Sequence, residues 1–347
     1  MLFLRGTAGG AGARHRYFFL PVPHFRFHPP AAVQIIRSAN ELRSGSRRVC
    51  AAIGVFDGLH LGHQAVLNRA RQDAREENGL VVVVTFDRHP NSVVAPERTP
   101  SPIYSLGQKL GVLESLAVDV TWLIPFDHEF SRMTAEDFVG RLVRDFAPLH
   151  SLSVGASFTF GHRRGGNLEL LIRLGRAAGF RVHGLEPVRF DGEPVSSTRI
   201  REAIRAGDLA GATDMLGRPY SVAGPVVRGD QVGRQLGFPT ANLAVTGLVL
   251  PPDGVYAAEV RLDGRLRPAV VNIGNRPTLR SHSPARRFEV HLLRFDGDLY
   301  ERELEVLFRR RLREERRFGT LEELEAQIRR DIETAVEFMG DGGKAAG

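Results

Sequence analysis

His60 and His63 stand three residues apart in the run Gly54-Val55-Phe56-Asp57-Gly58-Leu59-His60-Leu61-Gly62-His63. An apolar stretch, VCAAIGVF (49–56), leads into this run, and HQAVLNRARQDARE (63–76) leaves it with helical periodicity. On the first turn of a helix, side chains three apart project to the same side. There they meet the free backbone N–H groups and positive dipole end that suit a polyphosphate. Gly54, Gly58 and Gly62 allow close backbone approach through the turn that holds Phe56 and Asp57. One glycine or histidine at such a place is most often structural. The ten-residue pattern after an apolar strand is far more specific, and it points to phosphate chemistry.

Two more groups could serve the same chemistry. Ser196, Ser197, Thr198, Arg199 and Arg201 surround a helix start, which taken alone could be a capped surface helix. Gly224-Pro225-Val226-Val227-Arg228-Gly229-Asp230 precedes Gly233-Arg234-Gln235-Leu236-Gly237-Phe238-Pro239-Thr240-Ala241-Asn242. Glycine-rich backbone can cradle phosphate with its N–H groups, and this spacing fits neither a Walker A nor a protein-kinase glycine loop. In FEVHLL (288–293), period-two alternation puts Phe288, Val290 and Leu292 on one face and leaves Glu289 and His291 on the other.

These residues need elements to hold them. LVVVVTF (80–86) suits a buried parallel strand. VDVTWLIPF and LHSLSVGA read as strands, and TAEDFVGRLVRDF and LELLIRLGRAAG as helices. The alternation predicts a parallel sheet with helices on both faces, binding ligands beyond the carboxyl ends of its strands. Near Arg218-Pro219 the texture changes to short alternating strands, with Asp263-Gly264 and Asp296-Gly297 as hairpin punctuation. An antiparallel barrel or sandwich is expected there. A closing helix follows, TLEELEAQIRRDIETAVEFM, with Thr320 as N-cap and Glu323 placed for a capping box. The expected boundaries are a disordered leader (1–32), an α/β domain (33–217), a β domain (218–338) and a disordered tail (339–347).

The 347 residues suit two domains. A hydrophobic fraction of 42% and a charged fraction of 25% exclude wholesale disorder. No run approaches a membrane span, so a soluble chain is expected. Cys50 is the only cysteine, which excludes an internal disulfide and argues against a cysteine-built zinc site. The formal charge of +7 is carried almost wholly by arginine, as Lys109 and Lys344 are the only lysines. Arginine's fork suits phosphate, so anionic substrates and nucleic acid are both admissible. The arginines are spread through both halves, however, and no RNA-recognition motif or zinc-finger spacing accompanies them.

GVFDGLHLGHQ resembles the HxGH signature of the nucleotidyltransferase superfamily, and of prokaryotic FMN adenylyltransferases in particular. VTFDRHP (84–90), VGASFTFGHRRGGN (154–167) and VSSTRIREAIRAGDLAGATDMLGRPY (195–220) follow in that family's order, while GRQLGFPTAN, PPDGVYAAEV, VVNIGNRPT and FEVHLLRFDGDLY resemble riboflavin kinases. Across about residues 33–337 the chain is similar to the bifunctional riboflavin kinase/FMN adenylyltransferases, also called FAD synthetases.

The resemblance implies a Rossmann-like nucleotidyltransferase domain followed by a flavokinase-type barrel. Riboflavin would be phosphorylated to FMN, then adenylylated to FAD, with ATP and Mg²⁺, in the cytoplasm. ATP phosphates would meet Gly54, Phe56, Asp57, Gly58, His60, His63, Ser197, Thr198 and Arg201. In the kinase they would meet Gly224, Gly229, Arg234 and Thr240, with Thr240 and Asn242 serving the metal. Glu289 matches the family's catalytic base; without that match, a strand carboxylate paired with Arg287 or Arg309 would be the plainer reading. Small-molecule substrates, no nucleic acid, no membrane, and a monomer or transient homo-oligomer complete the expectation. Ala156-Ser157 departs from the family, which often has an acidic or amide residue before the Phe of GxxFxFG. That leaves open a kinase with a weakened adenylyltransferase. A pantetheine-phosphate or nicotinamide-mononucleotide adenylyltransferase is a further alternative, though neither needs an appended flavin kinase.

Overall fold

The computed structural model describes residues 33–38, 41–42, 45, 47–228, 237–275 and 286–342. The leader 1–32, Gly229, Arg234 and the last five residues lie outside them. The described residues open with strand β1 (Gln34–Ile36) and β2 (Val49–Ile53), then helix α1 (Leu61–Glu76) and β3 (Leu80–Phe86). A short turn of helix α2 (Asn91–Val94), α3 (Leu106–Ser115), β4 (Val120–Ile124), α4 (Ala135–Asp145), β5 (Leu149–Gly155), α5 (Leu168–Ala178) and β6 (Arg181–Leu185) continue the alternation. The six strands pair in parallel in the order β1-β4-β3-β2-β5-β6. Every residue of β2 and β4 is buried, as the unbroken apolar runs require of strands covered on both faces. The connection direction reverses beside β2, so the loop after β2 lies at the switch point, where such sheets bind ligands.

A small hairpin, β7 (Arg189–Phe190) and β8 (Glu193–Pro194), leads to α6 (Ser197–Ala206) and α7 (Leu209–Leu216). Six strands then close an antiparallel barrel: β9 (Ser221–Val227), β10 (Ala241–Leu243), β11 (Gly254–Leu262), β12 (Arg265–Asn275), β13 (Arg286–Leu292) and β14 (Glu303–Arg313). Asp263-Gly264 makes the expected two-residue hairpin, since Leu262 pairs with Arg265 and both turn residues have positive φ. Asp296-Gly297 does not. It lies in the connection from β13 to β14, and those strands are not neighbours: β14 pairs with β11 and β9. An Asp-Gly pair marks a place where the chain can turn, while the barrel order decides which strands meet.

Helix α8 (Leu321–Gly342) closes the chain. Thr320 Oγ1 accepts from the Glu323 N–H at 3.2 Å, but the Glu323 carboxylate accepts from the Gly319 N–H rather than completing the box on Thr320. The helix runs four residues past the expected end at 338. Met339, with Leu312 and Ile332, packs against Val255, Ala257, Val270 and Ala335, giving this last turn an apolar anchor on the barrel.

One apolar core joins the two halves. Ile103, Tyr104, Ile200 and Leu216 pack with Val222, Tyr256 and Phe308 inside the barrel. Tyr104 stacks on Tyr220, and Tyr220 on Phe308, at centroid separations of 6.5 and 5.7 Å.

Candidate active sites

The loop between β2 and α1 is built from unusual backbone. Phe56, Gly58 and Leu59 all have positive φ, at 53°, 78° and 43°. Phe56 is buried, and a Cβ on Gly54 would stand 3.1 Å from its ring. At Gly58 a Cβ would meet Ile103 Cδ1 at 2.8 Å, in addition to the strain of a left-handed backbone. Gly58→Ala should therefore cost about 1–2 kcal/mol from the backbone alone. The expected result is a lower melting temperature, with FAD formation falling more than FMN formation. An unchanged melt and unchanged rates would count against this account of the turn.

His60 caps α1: its Nδ1 accepts from the His63 N–H at 3.4 Å. With Nδ1 an acceptor, the proton of the neutral ring belongs on Nε2. The two imidazoles stack 3.6 Å apart, and Phe56 meets His63 edge-on at 5.3 Å. Burial, then Arg218 and Arg201, lower the His60 pKa to about 4. His63 is held well below its ordinary value by burial, His60, Arg218 and Lys109. Both rings are neutral near pH 7, so in the free chain they offer hydrogen bonds rather than charge.

A cavity of about 430 Å³ lies beside them, lined by Asp57, His63, Ser197, Thr198 and Arg201 among others. Arg201 is 5% exposed; its guanidinium pairs with Asp57 Oδ2, and its Nε donates to the Ser101 carbonyl at 2.8 Å. Asp57 Oδ1 accepts from the Ile103 N–H at 2.9 Å, and the Asp57 carbonyl accepts from Ser197 Oγ at 2.9 Å. Asp57 thus ties the loop to α6 and to the segment before α3. Gly54, Phe56, Gly58 and His60 shape this wall from behind, and only Asp57 and His63 of the predicted loop residues line the cavity. Among the described residues, His63 Nδ1 is buried without a hydrogen-bond partner. Arg199 points elsewhere, donating to the carbonyls of Phe190 and Glu193.

Sequence reasoning did not assign roles to His89, Asn91, Arg98 and Arg164, which also line this cavity. His89 and Arg164 come from DRHP and GHRRGGN, segments that the resemblance had marked without a residue. Lys109 was missed too. It is 9% exposed and lines an adjoining recess of about 110 Å³. Its Nζ donates to the Phe86 carbonyl at 2.7 Å and to Thr85 Oγ1 at 3.3 Å, and burial lowers its pKa to about 8 against the pull of Asp57 and Asp87. One signal was available: Lys109 is one of two lysines, with Lys344, in a chain that otherwise uses arginine.

On the barrel, β13 alternates as expected, with Phe288, Val290 and Leu292 buried and Glu289 and His291 half-buried on the outer face. Glu289 pairs in register with Asn242 of β10 on one side and Asn272 of β12 on the other. Arg287 Nη1 lies 3.6 Å from its carboxylate, while Arg309 pairs with Glu259 instead. His291 Nδ1 lies 2.8 Å from the Pro239 carbonyl, and Phe238 packs edge-on to His291 beneath Arg329 of α8. These contacts fix the segment that carries Thr240. Gly224 lies within β9, where a Cβ would stand 2.8 Å from the Ala244 carbonyl, so its smallness allows β9 to pass the end of β10.

Residues 43–199 match the family model for FAD synthetase, and residues 216–339 match that for riboflavin kinase. The bifunctional riboflavin kinase/FMN adenylyltransferase of Escherichia coli K12 is 38% identical over 310 residues, 89% of this chain and 98% of that protein. The chain belongs to the bifunctional riboflavin kinase/FMN adenylyltransferase family. The member from Pseudomonas fluorescens is 40% identical over 303 residues, covering 87% of this chain and 97% of its own. That from Bacillus subtilis is 32% identical over 294, covering 84% and 92%. A crystal structure titled as a macrolide-efflux protein from Streptococcus pneumoniae is similar with a TM-score of 0.76 and 28% identity, covering 88% of this chain and 98% of that one. This bifunctional enzyme phosphorylates riboflavin to FMN and adenylylates FMN to FAD, and the kinase-only reading is set aside by the matched FAD synthetase segment.

Proposed function

We propose that the cavity at the carboxyl ends of β2 and β3 binds ATP for adenylyl transfer, and that the outer face of the barrel at Thr240, Asn242 and Glu289 is the kinase site. The observation that carries the first assignment is the convergence of His63, Ser197, Thr198 and Arg201 on one cavity. Its volume of about 430 Å³ falls among those of small-molecule sites. The FMN phosphate is already an anion, so adenylyl transfer needs no general base. Positioning and charge stabilisation are the requirements. Arg98 and Arg164 supply charge, with Arg201 held by Asp57 beside them, and the His63 imidazole supplies a neutral hydrogen-bonding group, backed by the stacked His60 ring.

Phosphoryl transfer to riboflavin differs, because the 5′-hydroxyl is a neutral alcohol that must lose a proton. Glu289 takes that proton as the hydroxyl oxygen bonds the γ-phosphorus of ATP, the bond to the β–γ bridging oxygen breaks and ADP leaves. Thr240 and Asn242 offer oxygen donors beside it, a set that fits a hard cation held partly by substrate phosphates. Mg²⁺ bound there would neutralise charge on the transferring group. We assign adenylyl transfer to 33–217 and phosphoryl transfer to 218–338. We place the enzyme in the cytoplasm, where a buried free thiol such as Cys50 persists, as a monomer or transient homo-oligomer.

The test is a time course with riboflavin, ATP and Mg²⁺, run aerobically and anaerobically, separating riboflavin, FMN and FAD. FMN rising before FAD is expected. FMN without FAD would remove the adenylyltransferase assignment and point to Ala156-Ser157. Absence of both products would overturn the whole reading.

A further inference from the structure

Arg218 lies in the segment that matches riboflavin kinase, yet its guanidinium reaches back to the phosphate loop of the other half. Nη2 donates to the Gly58 carbonyl at 2.5 Å, and Nη1 to the carbonyls of Leu59 and Leu216 at 3.1 Å each. Gln64 of α1 donates its Nε2 to the same Leu59 and Leu216 carbonyls, at 2.9 Å each. The end of α7, the start of α1 and the loop between β2 and α1 are therefore bound through two shared oxygens. The guanidinium also lies 5.1 Å over the Tyr104 ring, which stacks on Tyr220 at the start of the barrel.

The loop needs such a clamp. Leu59 is a non-glycine residue at φ 43°, a backbone state that costs about 1–3 kcal/mol and persists only where surroundings hold it. Its carbonyl is the one that Arg218 and Gln64 share, and the next residue is His60. In a trans peptide the His60 N–H points opposite to that carbonyl. Fixing the Leu59 carbonyl thus fixes the start of α1 and the stacked histidines.

We propose that Arg218 is a positioning residue for adenylyl transfer, supplied by the kinase segment, which holds the Gly58–Leu59 turn and so sets His60, and the His63 ring stacked on it, for the phosphate site. This rests on the reading that the two histidines serve the ATP site. A simple brace between domains would support both activities alike; a positioning residue supports FAD formation selectively. Its charge provides a second signature. Arg218 and Arg201 face His60, while His60, Arg218 and Lys109 face His63, and Asp57 is engaged by Arg201. Removing the Arg218 charge lets both histidines take up a proton at higher pH.

The test uses the full chain with Arg218→Met, Arg218→Lys and His60→Ala in parallel. For Arg218→Met, kcat/KM for FAD formation from FMN should fall at least tenfold, with riboflavin phosphorylation within twofold of the parent. The acid limb of the FAD-forming rate should move to higher pH. Arg218→Lys keeps the charge but not the fork, so its acid limb should stay in place with only part of the rate recovered. Unchanged FAD formation, an equal fall in both activities, or a stationary acid limb in Arg218→Met would overturn the proposal. Should Arg218→Met lose all kinase activity through misfolding, Arg218→Lys decides, and parental FAD rates there would overturn it. His60→Ala that still forms FAD at the parental rate would instead remove the histidine reading beneath it, whatever Arg218→Met does.

Discussion

His60→Ala is expected to lower FAD formation from FMN and ATP by about 10²-fold, the range for misplacing a reacting group by about 1 Å, because His60 holds His63 and the start of α1 in place. Formation of FMN from riboflavin should continue at the parental rate. His60 is 6% exposed, caps α1 and stacks on His63 at 3.6 Å, so the alanine removes a cap and the stacking surface behind His63 together. Cap loss alone costs about 1 kcal/mol of stability. His60→Asn separates the roles, because asparagine caps well but offers no ring to stack on His63. Both variants should lose FAD formation to a similar degree. If asparagine restores it, capping is what His60 does.

The same residue makes stability depend on pH. An ordinary histidine titrates near 6.5 when unfolded, whereas folded His60 is lowered to about 4. Above 6.5 both states are neutral and the difference has no effect. As pH falls from 6.5 towards 4, the unfolded chain binds a proton that the folded chain refuses, so stability declines across that window, by about 3 kcal/mol for this group. His63, shifted in the same direction, adds to the decline. His60→Asn should flatten part of that slope in urea titrations between pH 4 and 6.5. A slope equal to the parent's would show that His60 does not titrate as described.

Glu289→Gln has the other large expected effect: FMN formation from riboflavin should fall by about 10²–10⁴-fold, the range for losing a general base. FAD formation from added FMN should persist. The amide keeps the side chain's shape between Asn242 and Asn272 and removes only the basic oxygen. It also weakens one ion pair of Arg287, whose nitrogen lies 3.6 Å away with both side chains over a quarter exposed, a contact of small energetic weight. A modest loss, with phosphorylation near the parental rate, would assign Glu289 to that ion pair and require another base.

Local pattern alone was sufficient for much of this protein. VCAAI and LVVVV announce strands covered on both faces, because only unbroken apolar sequence tolerates burial on two sides. FEVHLL places Glu289 outside the barrel because side chains alternate along any strand. The spacing of His60 and His63 puts both rings on one side of a helix start, and the rings do stack. What periodicity does not contain is partnership between distant residues. Asp57 finds Arg201 and the Ile103 N–H, Lys109 finds the Phe86 carbonyl, and Arg218 finds a loop some 160 positions earlier. Nor did spacing tell that His63 would line the cavity while His60 lay behind it, or that Asp296-Gly297 would join strands that never pair. Hydrophobic patterning acts over a few residues and determines each element. The charges and carbonyls that meet at the site are brought together only when the segment before α3, α6, α7 and the barrel pack on a shared core, and that packing decides which of them can reach a ligand.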